Sequence, residues 1–470
     1  MFTVIVAALV VILQCFAIFF LFQAIRSART SQGAVAWAIF LFFVPFLGVP
    51  AYVFLGSWRY RGYQVARRRN IQVIRALKQE NRRIGAPEAD LTPLQRSLAG
   101  ISDLPVTRGN DMVLLPDAKS TFDAIIEAID GAEQYVLVQF YIIREDDLGQ
   151  RLRNAMIAAA KRGVSVRLLY DAIGSKDLPR SYRQELHAQG VAAHDINGPF
   201  GPRSHFQANF RNHRKTVIVD GHIGFTGGFN VGDEYAGLDP KIGPWRDTHC
   251  QLRGPMVTQL QLIFAEDWYG VTQETLADAL IWQTAPETAD MLGLIVAIGP
   301  ADEADSGALY FCSVINAARE RLWIASPYLI IENDILVSLQ LAVQRGVKVR
   351  IMVPANGDHW ATWLAAFSYF DELRASGVEI WAYREGFMHQ KVILADDDFA
   401  SIGTINMDNR SCRLNFEATA VFFDKTAAAQ VERMLMDDFT QCDLLTRQLT
   451  EHSPALRFGS PIARLFAPLL

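Results

Sequence analysis

The chain has 470 residues, of which half are hydrophobic and 20% are charged, and its formal net charge is −5. This composition excludes an intrinsically disordered or low-complexity protein, and the length is enough for two or three domains. The five cysteines have no C-x-x-C spacing, so neither a disulfide scaffold nor a cysteine zinc site is expected.

Charge is distributed unevenly along the chain. Residues 1–56 hold two arginines and no acid (+2), and residues 57–83 carry +8, which leaves −15 of the total for residues 84–470. An acidic main body argues against a surface that follows nucleic-acid phosphates. We therefore expect no nucleic-acid partner.

Two uncharged apolar runs, residues 2–25 and 33–56, open the chain. Each exceeds the ~20 residues that cross a bilayer as a helix, which predicts two transmembrane helices in a tight hairpin. A cleaved signal peptide fits less well, because no basic residue precedes the first run and a second run follows it. Pro45 and Pro50 predict a kink in the second helix.

The segment after the second run is rich in arginine. Because basic clusters beside membrane helices tend to stay in the cytoplasm, the main body is expected on that side, as part of a multi-pass membrane protein. The same charges suit contact with anionic lipid head groups. The arginines of this basic cluster are Arg59, Arg61, Arg67, Arg68, Arg69 and Arg75.

The remaining chain contains an internal repeat. Residues 136–171 and 322–354 each show an apolar run, a helical pattern, the tripeptide RGV and a second apolar run. This order predicts two βαβ units and hence an α/β protein with mixed sheets and two pseudo-symmetric domains. The expected division is 57–110 for a basic juxtamembrane segment and linker, 111–285 for the first domain and 286–470 for the second.

Each repeat is followed by the same polar residues at the same spacing. Counted from the histidine, both sets have their lysine at +2, aspartate at +7, glycine at +14, a small residue at +15 and asparagine at +17. Five matching offsets in two copies are hard to explain by two unrelated structural histidines. The first set is His213, Lys215, Asp220, Gly227, Gly228 and Asn230, and the second is His389, Lys391, Asp396, Gly403, Thr404 and Asn406.

The pattern H-x-K-x4-D-x6-G-[GST]-x-N, present twice in one chain, resembles the signature of the phospholipase D superfamily. Together with the apolar amino terminus and the strings WRDTH (245–249), GTINMDNRS (403–411) and LNFE (414–417), the chain looks like the bacterial cardiolipin synthases. The resemblance implies two phospholipase D-like domains that share one active site. It also implies phosphatidyl transfer between two phosphatidylglycerol molecules, with membrane phospholipids as partners and the bacterial inner membrane as location.

Two histidines that meet across one site suit phosphodiester chemistry. One can attack phosphorus and form a phosphohistidine, and the other can protonate the leaving alkoxide and then deprotonate the incoming alcohol. The resemblance implies that His213 is the nucleophile and His389 the acid and base, although the near-symmetry of the sequence leaves this open. Lys215 and Lys391 are expected to hold phosphate oxygens.

The other motif residues complete the expected site. Asn230, Asn406, Gly228 and Thr404 are expected to bind the substrate phosphate. The motif places Asp220 and Asp396 with the catalytic set, although positioning a loop is the role that we favour. No metal or cofactor is expected, because a lysine two residues from each histidine repels a cation.

A catalytic histidine needs an acceptor for its second nitrogen. Glu417 follows His389 by 28 residues and Asp247 follows His213 by 34, and we expect both carboxylates to orient the histidines. The alternative is a salt bridge or a loop carboxylate. Of the other histidines, His205 and His249 are nearest the motifs and could line the site.

Two segments suggest contact with lipid. Residues 360–370 are rich in aromatic residues, which fits either core packing or an acyl-chain wall, and residues 456–470 read as an interfacial segment or a helix docked on the domain. The rival functions are a hydrolase that yields phosphatidic acid, a nucleic-acid phosphodiesterase and a non-catalytic lipid-binding protein. The oligomeric state is open.

Overall fold

The computed structural model describes residues 1–27, 31–56, 85–196, 210–240, 242–282, 290–302 and 304–467. The chain forms two compact units, of which one contains the amino-terminal helices and the other contains both repeats. The arginines of the basic cluster, His205 and the expected domain boundary at 285/286 lie outside the described residues.

The amino-terminal unit contains three apolar helices: α1 (Phe2–Ser27), α2 (Ser31–Phe43) and α3 (Pro45–Leu55). Helix α1 alone is long and apolar enough to cross a membrane, with a mean hydropathy of 3.0. The second apolar run forms two shorter helices that are separated at Val44, so a second membrane-crossing span stays a prediction. The predicted kink is confirmed at Pro45, which begins α3, whereas Pro50 lies inside that helix.

The three helices pack through a small apolar core. Tyr52 contacts Trp37 with ring centroids 4.9 Å apart and Phe20 with centroids 5.4 Å apart. Most other large side chains of α1 are exposed and apolar, which is what a lipid-facing helix requires.

The second unit alternates strands and helices. Its helices are α4 (Pro93–Ser102), α5 (Ala118–Asp130), α6 (Asp147–Lys161), α7 (Arg180–Ala188), α8 (Pro255–Thr272), α9 (Ser306–Ala317), α10 (Asn333–Gln344), α11 (Trp360–Ala375), α12 (Asn409–Arg413), α13 (Lys425–Thr440) and α14 (Pro454–Arg464). Its strands in the first repeat are β1 (Thr107–Leu115), β2 (Tyr135–Phe140), β3 (Ser165–Asp171), β4 (Ala192–Ile196), β5 (Arg211–Asn212), β6 (Thr216–Val219), β7 (Ile223–Gly227), β8 (Trp245–Arg246) and β9 (His249–Arg253). Those in the second repeat are β10 (Met291–Ile298), β11 (Arg321–Ala325), β12 (Leu329–Ile330), β13 (Lys348–Pro354), β14 (Glu379–Tyr383), β15 (Phe387–Met388), β16 (Val392–Ala395), β17 (Phe399–Gly403), β18 (Met407–Asp408), β19 (Asn415–Phe422) and β20 (Cys442–Leu444).

One continuous mixed sheet joins the two repeats. The first repeat contributes the order β4-β3-β2-β6-β7-β9-β1, and the second continues with β10-β19-β17-β16-β11-β13-β14-β20. Antiparallel pairing of β1 with β10 forms the junction, at Thr107 opposite Gly293. Read outward from this junction, the two halves have the same order apart from β20, so the predicted duplication and mixed sheet are confirmed.

The RGV tripeptides show how closely the repeats correspond. Gly163 and Gly346 both have φ of +92°, a conformation that glycine adopts without strain, and each ends the turn between helix and strand. Arg162 donates to the carbonyl of Ile129, and Arg345 donates to that of Ile315, so each arginine ties the βαβ unit to the preceding helix.

Helices cover both faces of the sheet. Helices α8 and α13 pack into an apolar core that both repeats share. The opposite face carries a separate apolar core in each repeat, formed with α5 and α6 in the first and with α9, α10 and α11 in the second. Such two-sided coverage explains why the central strands are apolar on both faces.

Candidate active site

The two repeats meet through a pair of short parallel strand contacts at the motif histidines. Strand β5 pairs with β19, and His213 N donates to Phe416 O at 2.9 Å. In the mirrored contact β15 pairs with β8, and His389 N donates to Arg246 O at 2.7 Å. Each histidine is therefore held beside a strand of the other repeat.

This arrangement pairs histidines and carboxylates crosswise. Nδ1 of His213 lies 2.8 Å from Oε2 and 3.0 Å from Oε1 of Glu417. Nδ1 of His389 lies 2.6 Å from Oδ2 of Asp247. The sequence left open which carboxylate orients which histidine. Each carboxylate pairs with the histidine of the other repeat, because β19 and the segment that follows β8 cross to that repeat.

The buried pairs fix the protonation of the imidazoles. Burial lowers the pKa of His213 and of His389 to about 4 each. Burial opposes ionisation of both carboxylates, but neighbouring groups outweigh it. His213 lowers the pKa of Glu417 below its usual range, and Lys391 together with His389 lowers the pKa of Asp247 below its usual range. An ionised carboxylate only accepts hydrogen bonds, so Nδ1 of each neutral ring donates and Nε2 keeps its lone pair.

Both motif lysines are buried next to their histidines. Lys215 Nζ donates to His213 O at 2.8 Å, and Lys391 Nζ donates to His389 O. Burial lowers the pKa of Lys215 to about 7 and that of Lys391 to about 8. Two desolvated ammonium groups between two histidines are suited to an anionic substrate, which would favour their charged forms.

Gly228 and Thr404 lie behind the two carboxylates, and their expected role in phosphate binding stays a prediction. Their N–H groups are already used, since Gly228 N donates to Thr248 O at 2.9 Å and Thr404 N donates to Ala418 O at 3.0 Å. A Cβ on Gly228 would overlap the carboxylate of Asp247. The small residue is required because the orienting carboxylate passes directly over it.

The two motif asparagines are buried in the same region of the site. Asn230 Oδ1 accepts a hydrogen bond from Ile142 N at 3.3 Å. Within the described part of the chain, Asn406 Oδ1 has no hydrogen-bond partner. Phosphate binding by these amides stays a prediction.

Asp220 and Asp396 serve the backbone and do not reach the histidines. Asp220 accepts hydrogen bonds from the N–H groups of Glu133, Gln134 and Tyr135, at 2.7–2.8 Å. Asp396 accepts the equivalent three from residues 319–321. A strand runs from each lysine to its aspartate, which places the two residues about 15 Å apart along the strand. These hydrogen bonds fit the loop-positioning role that the sequence favours for both aspartates.

Sequence reasoning missed a second layer of charged residues. Arg214, between His213 and Lys215, donates to both carboxylate oxygens of Asp267 at 2.8 Å. In the second motif Gln390 donates to Asp438, which also binds Arg246 of the other repeat at 2.6 Å. The middle residue of each H-x-K motif could have indicated this layer, because an arginine or glutamine is unexpected beside buried strands.

Other side chains around the histidines are aromatic. The Tyr141 ring contacts His213 with centroids 5.0 Å apart, and the Trp245 ring contacts His389 at the same separation. His249 is buried and accepts a hydrogen bond from Phe229 N at 3.2 Å, which is a structural role. Within the described ranges, no group of three or more His, Cys, Asp or Glu side chains could hold a metal ion.

Comparisons with known proteins agree on one family. The profile described as "Cardiolipin synthase, PLD-like domain" matches residues 125–243 and 311–438, and a profile described as "Phospholipase_D-nuclease N-terminal" matches residues 5–57. Cardiolipin synthase A of Pseudomonas putida (strain GB-1) is 42% identical over 456 residues, covering 95% of both chains. Cardiolipin synthase A of Pseudomonas aeruginosa (strain LESB58) is 41% identical, covering 95% of this chain and 93% of that one.

A solved structure shares the fold. The phosphatidylserine synthase of Haemophilus influenzae superposes with a TM-score of 0.61 at 13% identity, covering 81% of this chain and all of that one. The apolar amino-terminal helix and the matching profile of that region fit association with a membrane. The duplicated fold, the paired motifs and the near full-length identity place this chain in the cardiolipin synthase family of the phospholipase D superfamily.

Proposed function

We propose that this chain is a membrane-anchored cardiolipin synthase that joins two phosphatidylglycerol molecules through a phosphohistidine intermediate. The observation that carries the proposal is the pair of buried neutral histidines, each held at Nδ1 by a carboxylate of the other repeat. Such a pair offers one nucleophilic Nε2 and one proton carrier for the same phosphorus atom.

In the first half-reaction, His213 Nε2 attacks the phosphorus of one phosphatidylglycerol. The bond between phosphorus and the head-group glycerol oxygen breaks, and His389 supplies the proton with which glycerol leaves. Asp247 stabilises the protonated His389 that this step needs, as does the negative charge of the bound phosphodiester.

In the second half-reaction, a hydroxyl of another phosphatidylglycerol gives its proton to His389 and attacks the same phosphorus. The P–N bond to His213 breaks, and cardiolipin forms. Lys215 and Lys391 stabilise the charge that accumulates on the non-bridging oxygens in both steps, and their burial strengthens this interaction. Asn230 and Asn406 add amide donors.

The proposal also includes the orientation of the chain in the membrane. We infer that α2 and α3 together return the chain across the bilayer after α1, and that the catalytic unit is cytoplasmic. The charge bias of the basic cluster supports this orientation. We propose phosphatidylglycerol as both donor and acceptor lipid, because joining two such molecules with loss of glycerol yields cardiolipin, the product named in the relatives' description.

Helix α14 is proposed to lie in the membrane interface. One of its faces is docked on α11, where Arg464 stacks on the Tyr369 ring at 4.2 Å. The opposite face exposes Phe458, Ile462, Leu465 and Phe466. Exposed apolar side chains at helical spacing next to arginines are typical of interfacial helices. The aromatic stretch of α11 is mainly core, since Tyr369 and Phe370 are buried, whereas Trp360 is exposed.

The direct test uses the purified full-length protein in mixed micelles of phosphatidylglycerol. We expect one free glycerol for each cardiolipin formed, and loss of turnover in His213→Ala and His389→Ala. Phosphatidic acid as the main product would instead make the chain a hydrolase. Retained turnover in either variant would contradict the two-histidine scheme.

A further inference from the structure

The pseudo-twofold symmetry of the site is broken by charge. Arg211 lies two residues before His213, and the equivalent position before His389 is Phe387. Arg410 lies four residues after Asn406, and the equivalent position after Asn230 is Glu234. The repeat therefore places two arginines where the other copy has an aromatic residue and an acid.

Both arginines belong to the His213 side of the site. Arg211 is in β5, which pairs with Asn415 and Phe416 of the strand that carries Glu417, so it shares a strand face with His213. Arg410 lies in the short helix α12, which immediately precedes the same strand. Both side chains are half-buried.

Tyr141 connects this arginine pair to the reacting groups. Its ring contacts His213 and lies 5.4 Å from Lys215 Nζ. Burial raises the pKa of the Tyr141 hydroxyl, and the nearby charges of Arg211 and Arg410 oppose this rise.

Backbone hydrogen bonds bring the two arginines together, since Arg211 N donates to Leu414 O at 3.4 Å and Leu414 N donates to Arg410 O at 2.8 Å. Burial first and then the charge of Arg211 lower the pKa of Arg410. The two guanidinium groups thus lie about one tyrosine side chain away from the reacting lysines, with the carboxylates of Asp171 and Asp408 also nearby.

On the proposed function, the chemistry of the substrates supplies an anion for such a place. The donor lipid has one phosphate, which the two lysines and histidines bind. The acceptor brings its own phosphate, separated from the attacking hydroxyl by the carbons of its head-group glycerol. During the second half-reaction the acceptor phosphate must therefore lie within a side chain's length of the donor phosphate.

We propose that Arg211 and Arg410 form the binding site for the phosphate of the acceptor phospholipid. The pair thereby selects a phospholipid alcohol over water or a neutral alcohol for the second half-reaction. Paired guanidinium groups suit a phosphodiester, since each offers several donors in a fixed plane. Nothing in the first half-reaction requires this site.

A partition experiment tests the proposal. The full-length protein is supplied with phosphatidylglycerol and 1-propanol, and the ratio of phosphatidylpropanol to cardiolipin is measured together with free glycerol. Both products arise from one intermediate, so the ratio reports the second step alone. We expect Arg211→Gln and Arg410→Gln each to shift the ratio towards phosphatidylpropanol by roughly tenfold or more, with glycerol release per enzyme little changed.

Controls separate binding from folding and from the wider scheme. Arg211→Lys and Arg410→Lys should recover part of the ratio, and the exposed Arg433→Gln should leave it unchanged; the melting temperature of each variant is measured alongside. An unchanged ratio in both glutamine variants, or equal loss of both products, would overturn the acceptor site. If the unaltered protein forms phosphatidylpropanol but no cardiolipin, the proposed function itself fails.

Discussion

Nδ1 of His213 is 2.8 Å from Glu417, although 204 residues separate the two in the chain. The equivalent bond between His389 and Asp247 spans 142 residues. Neither repeat holds a complete catalytic pair, because the carboxylate of each repeat hydrogen-bonds the histidine of the other. The duplication therefore produces one site that depends on both copies.

Removing the charge of an orienting carboxylate should disable the histidine that it holds. Glu417→Gln keeps the shape of the side chain but can donate to His213, which favours the wrong tautomer. By comparison with the buried carboxylate of a serine-protease triad, we expect kcat to fall roughly 10³- to 10⁴-fold. The measurement is cardiolipin formation in micelles.

The crosswise pairing gives this prediction a specific signature. Adding His213→Ala to Glu417→Gln should cost little more than His213→Ala alone, because the two residues act as one unit. The exposed Glu385→Gln, close to the second motif in sequence, should retain full activity. Near-normal turnover in Glu417→Gln would show that the carboxylate has only a structural role.

Glycine at position 228 is expected to be essential for space. Gly228→Ala would push a methyl group into the Asp247 carboxylate, displacing the partner of His389. We expect a loss of kcat of at least about tenfold, which is the scale of ~1.4 kcal/mol. Gly100→Ala is the matched control, because nothing lies within 4 Å of the added Cβ and alanine favours a helix. Equal activity in the two variants would contradict the proposed geometry.

The motif aspartates should affect stability far more than chemistry. Asp220→Asn and Asp396→Asn each weaken three hydrogen bonds from backbone N–H groups, which we expect to lower the free energy of unfolding by about 1–3 kcal/mol. Asparagine tolerates the positive φ of 52° and 50° at these positions, so the folds should survive. Thermal unfolding and kcat, measured well below the melting temperature, check this. An inactive variant with an unchanged melting temperature would restore a catalytic role.

The buried histidines should make the protein sensitive to acid. Their pKa values of about 4 lie below the ordinary value of 6.5, so the unfolded chain takes up protons first as pH falls. Their contribution to stability is present above pH 6.5 and is lost as pH falls towards 4. The lowered pKa values of Glu417 and Asp247 act in the same direction.

Melting temperatures in detergent between pH 4 and pH 7 measure this effect. We expect a steep decline below pH 6.5, and a shallower one in the double variant His213→Asn, His389→Asn. Replacing the exposed His222 by glutamine should leave the profile of the unaltered protein in place. A flat profile in the unaltered protein would mean that the imidazoles are not buried in their neutral form.

Helix α14 should contact lipid through its exposed face. A fluorescent label on Phe458→Cys in reconstituted vesicles should be quenched by spin-labelled lipid and protected from an aqueous quencher. The same label on Glu385→Cys, with Cys15 replaced by serine in both proteins, should behave in the opposite way. Quenching of residue 458 only from the aqueous phase would leave α14 as a helix docked on α11 and exposed to water.

Much of this architecture could be predicted from the sequence, because it depends on local sequence patterns. The apolar runs around RGV specify both βαβ units, and the identical motif spacing brings the histidines and lysines to one end of each repeat. The break at Val44 was harder to foresee, since Pro45 can either kink a helix or start a new one.

The parts that sequence reasoning missed depend on contacts between the repeats. The partner of each carboxylate is set by the short pairings of β5 with β19 and β8 with β15, and two-residue strands leave almost no pattern. The roles of Gly228 and Thr404 follow from the path of a carboxylate from a distant segment. Arg211 and Arg410 become neighbours only when the two copies fold together.

The most direct test of the account is to locate the covalent intermediate. The unaltered protein is mixed with phosphatidylglycerol, stopped during turnover by denaturation at mildly alkaline pH where a phosphoramidate persists, digested and examined by mass spectrometry. The account predicts a phosphatidyl group on the peptide that contains His213, and none when His213 is replaced by asparagine. A phosphatidyl group on another residue, or glycerol release with no modified peptide, would contradict it.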